Sequence, residues 1–420
     1  MIINRNSYIC SLDIGSSKIS ATLAQIKKKR LSSLEFESAA SKGVKGGVIV
    51  DSIELIGVIS KLMKTLKART GVNIKNIYAN ISGQDIVTKR SHAIIPLAER
   101  GNKVITQSDI EVVNEQARIL GSSLEEEIIQ IIPSSYTIDS KNNIINPFGL
   151  YSHKLEVDLY LICGKLSSIQ SLARVVHQSG YEIKDLFFSG LATSKAVFNK
   201  ELNEGLNLFC DIGSDIVELL VFKDGFLKDM EIMSFGGDDL TQKLSDELKI
   251  PFDLAEEIKK SYGIIGDVEQ IEEGKEILVK KSELYKPIKQ KLVSQIITLS
   301  AKDICSKIKD SVIKKVAPHE VNNFIITGRT LLLEGFIETL ENTLSMPVKL
   351  GRIRNEEVLA LTKEGDSLSG QKYLNYLTSL GMICEVLQRK PISMQPIHQP
   401  AKNLLAKVKN KLVEVYQEYF

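Results

Sequence analysis

Asp13-Ile14-Gly15-Ser16-Ser17-Lys18 stands between a short apolar run, residues 8–12, and a strand-like stretch, residues 19–26. Apolar runs broken by a glycine turn read as a β-hairpin. The same grammar returns about half a chain later. Residues 206–210 are mostly apolar, Asp211-Ile212-Gly213-Ser214-Asp215 form the second turn, and residues 216–222 resume the strand. An internal repeat at this separation predicts two similar α/β halves facing each other across a cleft.

Between the two copies, residues 52–68 place Ile53, Ile56, Ile59, Leu62, Met63 and Leu66 at helical spacing, and residues 77–81 read as a buried strand. Residues 84–160 carry several candidate strands around one helix, 107–120, and predict a small inserted subdomain, with Ser108 as helix cap and Glu111 completing a capping box. After the second copy, residues 238–248 and 252–262 read as helices separated by Pro251, and 292–316 as a long helix. Residues 323–327 are an apolar strand stopping at Gly328, followed by a helix over 332–344.

An Asp-x-Gly turn between strands has a phosphate-binding logic. Glycine lets the backbone approach an anion, the turn amides point at it, and the aspartate positions water around a bound magnesium ion. A single copy also occurs in ordinary hairpins; two copies at equivalent places are harder to explain that way. A third element, Phe324-Ile325-Ile326-Thr327-Gly328, is a strand ending in a glycine turn, and beside it stand Gly236-Gly237 and the helix carrying Glu256 and Lys259.

Read together, these segments resemble the phosphate and adenosine motifs of the actin, Hsp70 and sugar-kinase superfamily. Within it the chain is most similar to the FtsA family. The similar text is Ser16-Ser17-Lys18, Gly43-Val44-Lys45-Gly46-Gly47-Val48-Ile49-Val50-Asp51, Ile145-Asn146-Pro147-Phe148-Gly149-Leu150, Ser189-Gly190-Leu191-Ala192-Thr193-Ser194 and Ala255-Glu256-Glu257-Ile258-Lys259-Lys260-Ser261-Tyr262-Gly263, in family order. The resemblance implies an actin-like two-domain α/β fold with duplicated βαβ halves around a nucleotide cleft and an inserted FtsA-type subdomain. The corresponding division is 1–83 and 161–200 for the first actin-like domain, 84–160 for the insert, and 201–388 for the second.

The implied function is a cell-division scaffold that anchors FtsZ polymers to the cytoplasmic membrane and self-assembles into filaments with ATP, at most a weak ATPase. A pilus or secretion adaptor and a small-molecule kinase are the alternatives within the superfamily. Implied partners are the FtsZ C-terminal peptide, further copies of the chain, an anionic membrane surface and other division proteins. By the same resemblance, Asp13, Gly15, Ser16, Ser17 and Lys18 face the phosphates from one side, and Asp211 and Gly213 from the other, with magnesium carried by the nucleotide near Asp13 and Asp211. Gly236 and Gly237 line the floor, Glu256 and Lys259 the ribose and base, and Gly328 the adenosine end.

Three positions depart from the family pattern. Ser214-Asp215 follows Gly213 where glycine and threonine are usual, which removes backbone freedom and brings a carboxylate near the phosphates. Arg329 follows Gly328 where a second glycine is usual. Lys291 stands where the FtsZ-binding region commonly carries arginine; it keeps the positive charge and loses the bidentate geometry. The carboxylate should weaken ATP binding unless magnesium or a lysine compensates, and Arg329 puts a bulky side chain where close approach to the base is expected.

Pro391, Pro396 and Pro400 mark residues 389–400 as a linker. Beyond it, Leu404, Leu405, Val408, Leu412, Val415, Tyr416 and Tyr419 share one helical face over 401–420, with Lys407 and Lys411 on its flanks, the pattern of an interfacial membrane helix. No apolar run reaches the roughly 18–20 residues of a spanning helix, and residues 1–6 lack a signal-peptide core. A cytosolic protein whose membrane contact is peripheral is therefore expected, and the resemblance implies the cytoplasmic face of the inner membrane at the division site. Apolar residues make up 43%, charged residues 25%, and the net charge is +2, which argues against disorder and against nucleic acid as main partner. Five scattered cysteines and five unpaired histidines give no metal-ligand spacing.

Overall fold

The computed structural model describes residues 7–28, 30–98, 101–198, 204–267, 269, 271–272, 274–281, 284–361 and 368–388. The linker 389–400 and the amphipathic segment 401–420, with Leu404, Leu405, Lys407, Val408, Lys411, Leu412, Val415, Tyr416 and Tyr419, lie outside the described residues.

Two five-stranded sheets share one topology. In the first, Arg30–Ala40, Lys18–Lys27 and Ser7–Ile14 form an antiparallel meander, and Asn76–Ile81 and Glu182–Phe188 extend it in parallel. In the second, Phe226–Met233, Val217–Lys223 and Leu206–Ile212 form the meander, and Val321–Thr327 and Lys349–Leu350 extend it in parallel. The repeated Asp-x-Gly segments are the corresponding hairpin turns. Gly15 N–H donates to the Lys18 carbonyl at 3.0 Å, and Gly213 N–H to the Ile216 carbonyl at 2.9 Å. Both central strands are nearly continuous apolar runs because helices cover them: Ser52–Thr70 and Leu166–Gln178 on the first sheet, Gly237–Leu248 and Gln290–Lys315 on the second.

The helix Ser52–Thr70 starts where Asp51 accepts the Ile53 and Glu54 amides and stops at Gly71, whose φ of 69° is the left-handed value a helix end uses. The helix expected over 332–344 begins later, at Phe336. Residues Arg329–Leu332 make a 3₁₀ turn instead, and Gly335, at φ 80°, is the N-cap.

The insert is a four-stranded sheet ordered Lys141–Ile144, Glu126–Ile138, Lys154–Lys165, Ile86–Pro96, with helix Gln107–Leu120 on one face. Ala93, Ile95, Val113, Ala117, Leu155, Val157 and Leu159 are among the residues of its own core. The cap of this helix is Thr106 rather than Ser108. Its hydroxyl accepts the Asp109 amide at 3.3 Å, and the Asp109 carboxylate accepts the Thr106 amide at 2.9 Å. The capping box therefore sits two residues upstream of the expected one, because Ser108 is already inside the first turn.

The last described helix, Leu377–Gln388, falls within the segment 201–388 but packs on the first half. Ser379 Oγ lies 2.7 Å from Thr22 Oγ1, the Ser11 hydroxyl donates to the Ser379 carbonyl at 2.7 Å, and Gly381 rests against the Ala192 carbonyl of helix Ser189–Val197. Phe198 joins the halves apolarly, its ring edge-on to Phe209 at 6.0 Å and to Phe222 at 5.0 Å. All five cysteines are buried and free. Among the described residues no helix is long and apolar enough to cross a membrane.

Candidate functional site

The two hairpin turns face each other, and the structure gathers most of the sequence-predicted cleft residues around them. Asp13 ends its strand in a buried polar network. Its Oδ1 accepts from Asn80 Nδ2 at 2.8 Å, and its Oδ2 accepts from Ser20 at 3.2 Å and from Lys18 Nζ at 3.3 Å. Asn80 also donates to Ser189 Oγ at 2.9 Å and accepts the Ile14 amide at 2.6 Å, locking strand, turn and helix together. The Lys18 ammonium further donates to Ser20 at 3.1 Å and to the Asn375 carbonyl. Burial lowers its pKa, and the charge of Asp13 opposes that shift.

Across the cleft, Asp211 accepts from the Thr327 hydroxyl at 2.9 Å, and burial pushes its carboxyl up to about 6. Glu218, directly opposite Asp211 in the hairpin, is 3% exposed and pushed up to about 8 by burial and by the Asp211 charge. Ser82 of the first half donates to Glu218 Oε1, and Oε2 has no partner.

The N-terminus of helix Gly237–Leu248 forms the floor. Gly237 N–H donates to the Gly213 carbonyl at 3.0 Å, Asp238 N–H to the Ser214 carbonyl at 2.7 Å, and Gly236 N–H to Asp239 Oδ2 at 2.7 Å. Behind it Lys259, 4% exposed, donates to the Gly237 carbonyl at 2.7 Å and to Thr241 Oγ1 at 2.6 Å, and pairs with Glu256 at 2.5 Å. Burial lowers Lys259; burial raises Glu256, but the lysine's charge and hydrogen bonds leave it below its ordinary value. Asp238 is pushed up to about 7 by burial and then by the charge of Asp215.

Gly328 has φ 103°, and a Cβ there would come within 2.2 Å of the Ile212 carbonyl, so only glycine lets the strand end pass the second hairpin. Arg329 then projects into the cleft and donates from Nη2 to Ser17 Oγ. Asp215 Oδ2 accepts the Gly46 amide at 2.8 Å, and the Gly47 amide donates to Ser16 Oγ at 3.4 Å. Lys291 lies apart from this cluster, at the foot of the hairpin formed by Glu276–Lys281 and Leu284–Lys289, and pairs with Glu269 at 3.0 Å.

A magnesium nucleotide asks such a cleft for unengaged amides and cations on both walls. Here the turn amides of Gly15 and Gly213 and the helix amides of Gly236, Gly237 and Asp238 all donate to protein oxygens. The Lys18 and Lys259 ammonium groups do the same, while Asp13, Asp211, Asp215, Asp238 and Glu256 crowd the space with acid. Unengaged backbone donors remain at the turn tips, where the amides of Ser16, Ser17, Ser214 and Asp215 make no hydrogen bond among the described residues, so both walls can still receive an anion's oxygens. Among the described residues no cluster of His, Cys, Asp and Glu is placed to hold a metal.

Asn80, Ser82, Ser189, Glu218, Thr327 and Asn375 enter the site without having been singled out for it from sequence. Ser189 and Thr327 stood within family-like segments, Glu218 arrives through the second hairpin, and Asn80 and Thr327 are brought in by parallel strand pairing between distant segments.

A family model described as "Cell division protein FtsA" matches residues 208–373, and one described as "SHS2 domain inserted in FTSA" matches residues 83–163, together more than half of the chain. The Cell division protein FtsA of Borreliella burgdorferi is 25% identical over 354 residues, covering 83% of this chain and 85% of that protein. The Cell division protein FtsA of Streptococcus pneumoniae is 24% identical over 410 residues, covering 94% and 86%. Among solved structures, a chain of a PilM-PilN type IV pilus biogenesis complex matches with a TM-score of 0.62 at 14% identity, covering 90% of this chain and 98% of that one. The ethanolamine utilization protein EutJ from Carboxydothermus hydrogenoformans matches with 0.50 at 15%, covering 90% and 89%. At these identities the structural likeness is one of fold.

Proposed function

Because the chain belongs to the FtsA family of actin-like cell-division proteins, we propose that it tethers polymers of FtsZ to the cytoplasmic face of the cell membrane at the division site. The observation that carries this reading is the insert. A sheet-and-helix unit matching the family's own inserted domain interrupts the first half between strand Asn76–Ile81 and helix Leu166–Gln178, and the actin-like frame closes around it.

Three surfaces serve the role. Lys291, beside the hairpin Glu276–Lys281 and Leu284–Lys289, presents a cation to the acidic FtsZ C-terminal peptide, whose carboxylate displaces the exposed Glu269. The segment 401–420 lays its apolar face into the membrane interface, with Lys407 and Lys411 meeting anionic headgroups. The insert offers further division proteins a shallow groove of about 470 Å³ along helix Gln107–Leu120, lined by Val112, Ile119 and Leu120 and edged by Glu111 and Glu115. Copies assemble head to tail into filaments. Magnesium-ATP, expected from sequence, enters this reading only as a ligand that would have to open the cleft, and no step of tethering passes through it.

Titration of the purified chain with the FtsZ C-terminal peptide tests the reading. Saturable binding weakened about tenfold or more by Lys291→Glu, equivalent to about 1.4 kcal/mol, supports it; absence of binding by the unaltered chain refutes it.

A further inference from the structure

Asp215 and Arg329, the two cleft residues that depart from the family pattern, both reach across the cleft. Asp215 belongs to the second hairpin turn, yet its carboxylate accepts the backbone amide of Gly46, in the turn between Val44–Lys45 and Val48–Ile49 of the first half. Arg329 belongs to the 3₁₀ turn after Val321–Thr327, yet its guanidinium donates to Ser17 in the first hairpin turn. One tie runs from an acid of the second half to a backbone amide of the first. The other runs from a cation of the second half to a hydroxyl of the first.

The chemistry of each tie matches what a bridging anion and its counter-cation would otherwise supply. A carboxylate facing a turn amide is an anion in an anion's place. A guanidinium held among Asp13, Asp238 and Glu256 is the positive charge that such an acid-rich space requires. Further polar contacts join the halves nearby: Ser82 with Glu218, Gln84 Nε2 with Ser234 Oγ at 2.7 Å, and Lys228 Nζ with the Ser134 carbonyl at 3.1 Å.

We infer that Asp215 and Arg329 form a latch that closes the cleft without nucleotide, so that the closed shape is the resting state of this chain and magnesium-ATP competes with the latch. The inference is independent of the partner and membrane assignments above and stands or falls on the cleft alone.

The test uses the full chain with Asp215→Gly, Arg329→Gly, their combination, and Asp215→Asn as the conservative control, since the asparagine carbonyl still accepts the Gly46 amide. Hydrogen exchange of the peptide spanning residues 43–48 is followed without nucleotide, alongside calorimetric titration with magnesium-ATP, and circular dichroism checks folding. The latch predicts slow exchange at Gly46 in the unaltered chain and in Asp215→Asn. It predicts exchange about tenfold faster or more in Asp215→Gly, as loss of a hydrogen bond to a charged group implies, and magnesium-ATP binding at least about tenfold tighter in the double variant than in the unaltered chain. Unchanged exchange in Asp215→Gly overturns it, as does magnesium-ATP binding by the double variant no tighter than by the unaltered chain.

Discussion

Replacing Glu218 with glutamine should make the protein more stable, and increasingly so as pH rises. Glu218 is 3% exposed, its Oε1 takes the Ser82 hydroxyl, and its Oε2 has no partner and points at the backbone of Gly190. The titratable groups facing it are Asp211 and, farther off, Asp13, both acids, and burial with the Asp211 charge lifts its pKa from 4.5 to about 8. The folded state therefore keeps a proton that the unfolded chain releases near its ordinary pKa. Stability contributed by the neutral carboxyl is complete below about pH 4.5 and is lost as pH rises toward 8. At about 1.4 kcal/mol per pKa unit, the wild-type side chain is worse than a permanently neutral one by about 1 kcal/mol at pH 5 and about 4 kcal/mol at pH 8. Glutamine keeps an acceptor for Ser82 and has no proton to lose. Urea unfolding of both proteins at half-unit pH steps from 5 to 8.5 should show the two stability curves diverging with pH, glutamine above. Parallel curves, or a wild type that gains on the variant as pH rises, would show that Glu218 is ionised and paired in the folded state, contrary to the reasoning.

Gly381→Ala should cost about 2 kcal/mol, because a Cβ would lie 1.7 Å from the Ala192 carbonyl and must push a pair of packed helices apart. Helix propensity alone predicts a gain of up to about 1 kcal/mol, so the sign seen in urea unfolding decides between them. Thr106→Ala removes one side of the capping box with Asp109 and should cost about 1 kcal/mol, whereas Ser108→Ala should change thermal stability little. Lys259→Met leaves Glu256 without its shortest ion pair and the Thr241 hydroxyl oxygen without its donor. A loss of about 3 kcal/mol is expected, and Glu256→Gln in the same chain should recover some of it; a double variant no better than Lys259→Met would remove the pair's coupling.

How much of this was legible depends on distance along the chain. The two hairpins could be read because each is local: Asp13 and Ser20, or Asp211 and Glu218, are brought together by a turn whose signal lies between them. Helices such as Phe252–Tyr262 and Gln107–Leu120 could be read because apolar spacing repeats within a dozen residues. Asn80 beside Asp13, and Thr327 beside Asp211, could not, since parallel neighbours are separated by whole helices and nothing local specifies their register. The same holds for Leu377–Gln388, which packs on the first half through the close approach of Gly381 to the Ala192 carbonyl. Asp215 and Arg329 stood out in the sequence as departures from a pattern. That each reaches across to the opposite half is a property of the closed geometry, which no one-dimensional pattern contains.

The most direct test of the tethering role is flotation of FtsZ on liposomes containing anionic phospholipid, with and without this chain and with the chain ending at residue 400. The account predicts that FtsZ rises to the lipid layer only when the full chain is present, and that the shortened chain stays with FtsZ at the bottom. A full chain that floats and leaves FtsZ behind, or a shortened chain that lifts FtsZ equally well, would contradict it.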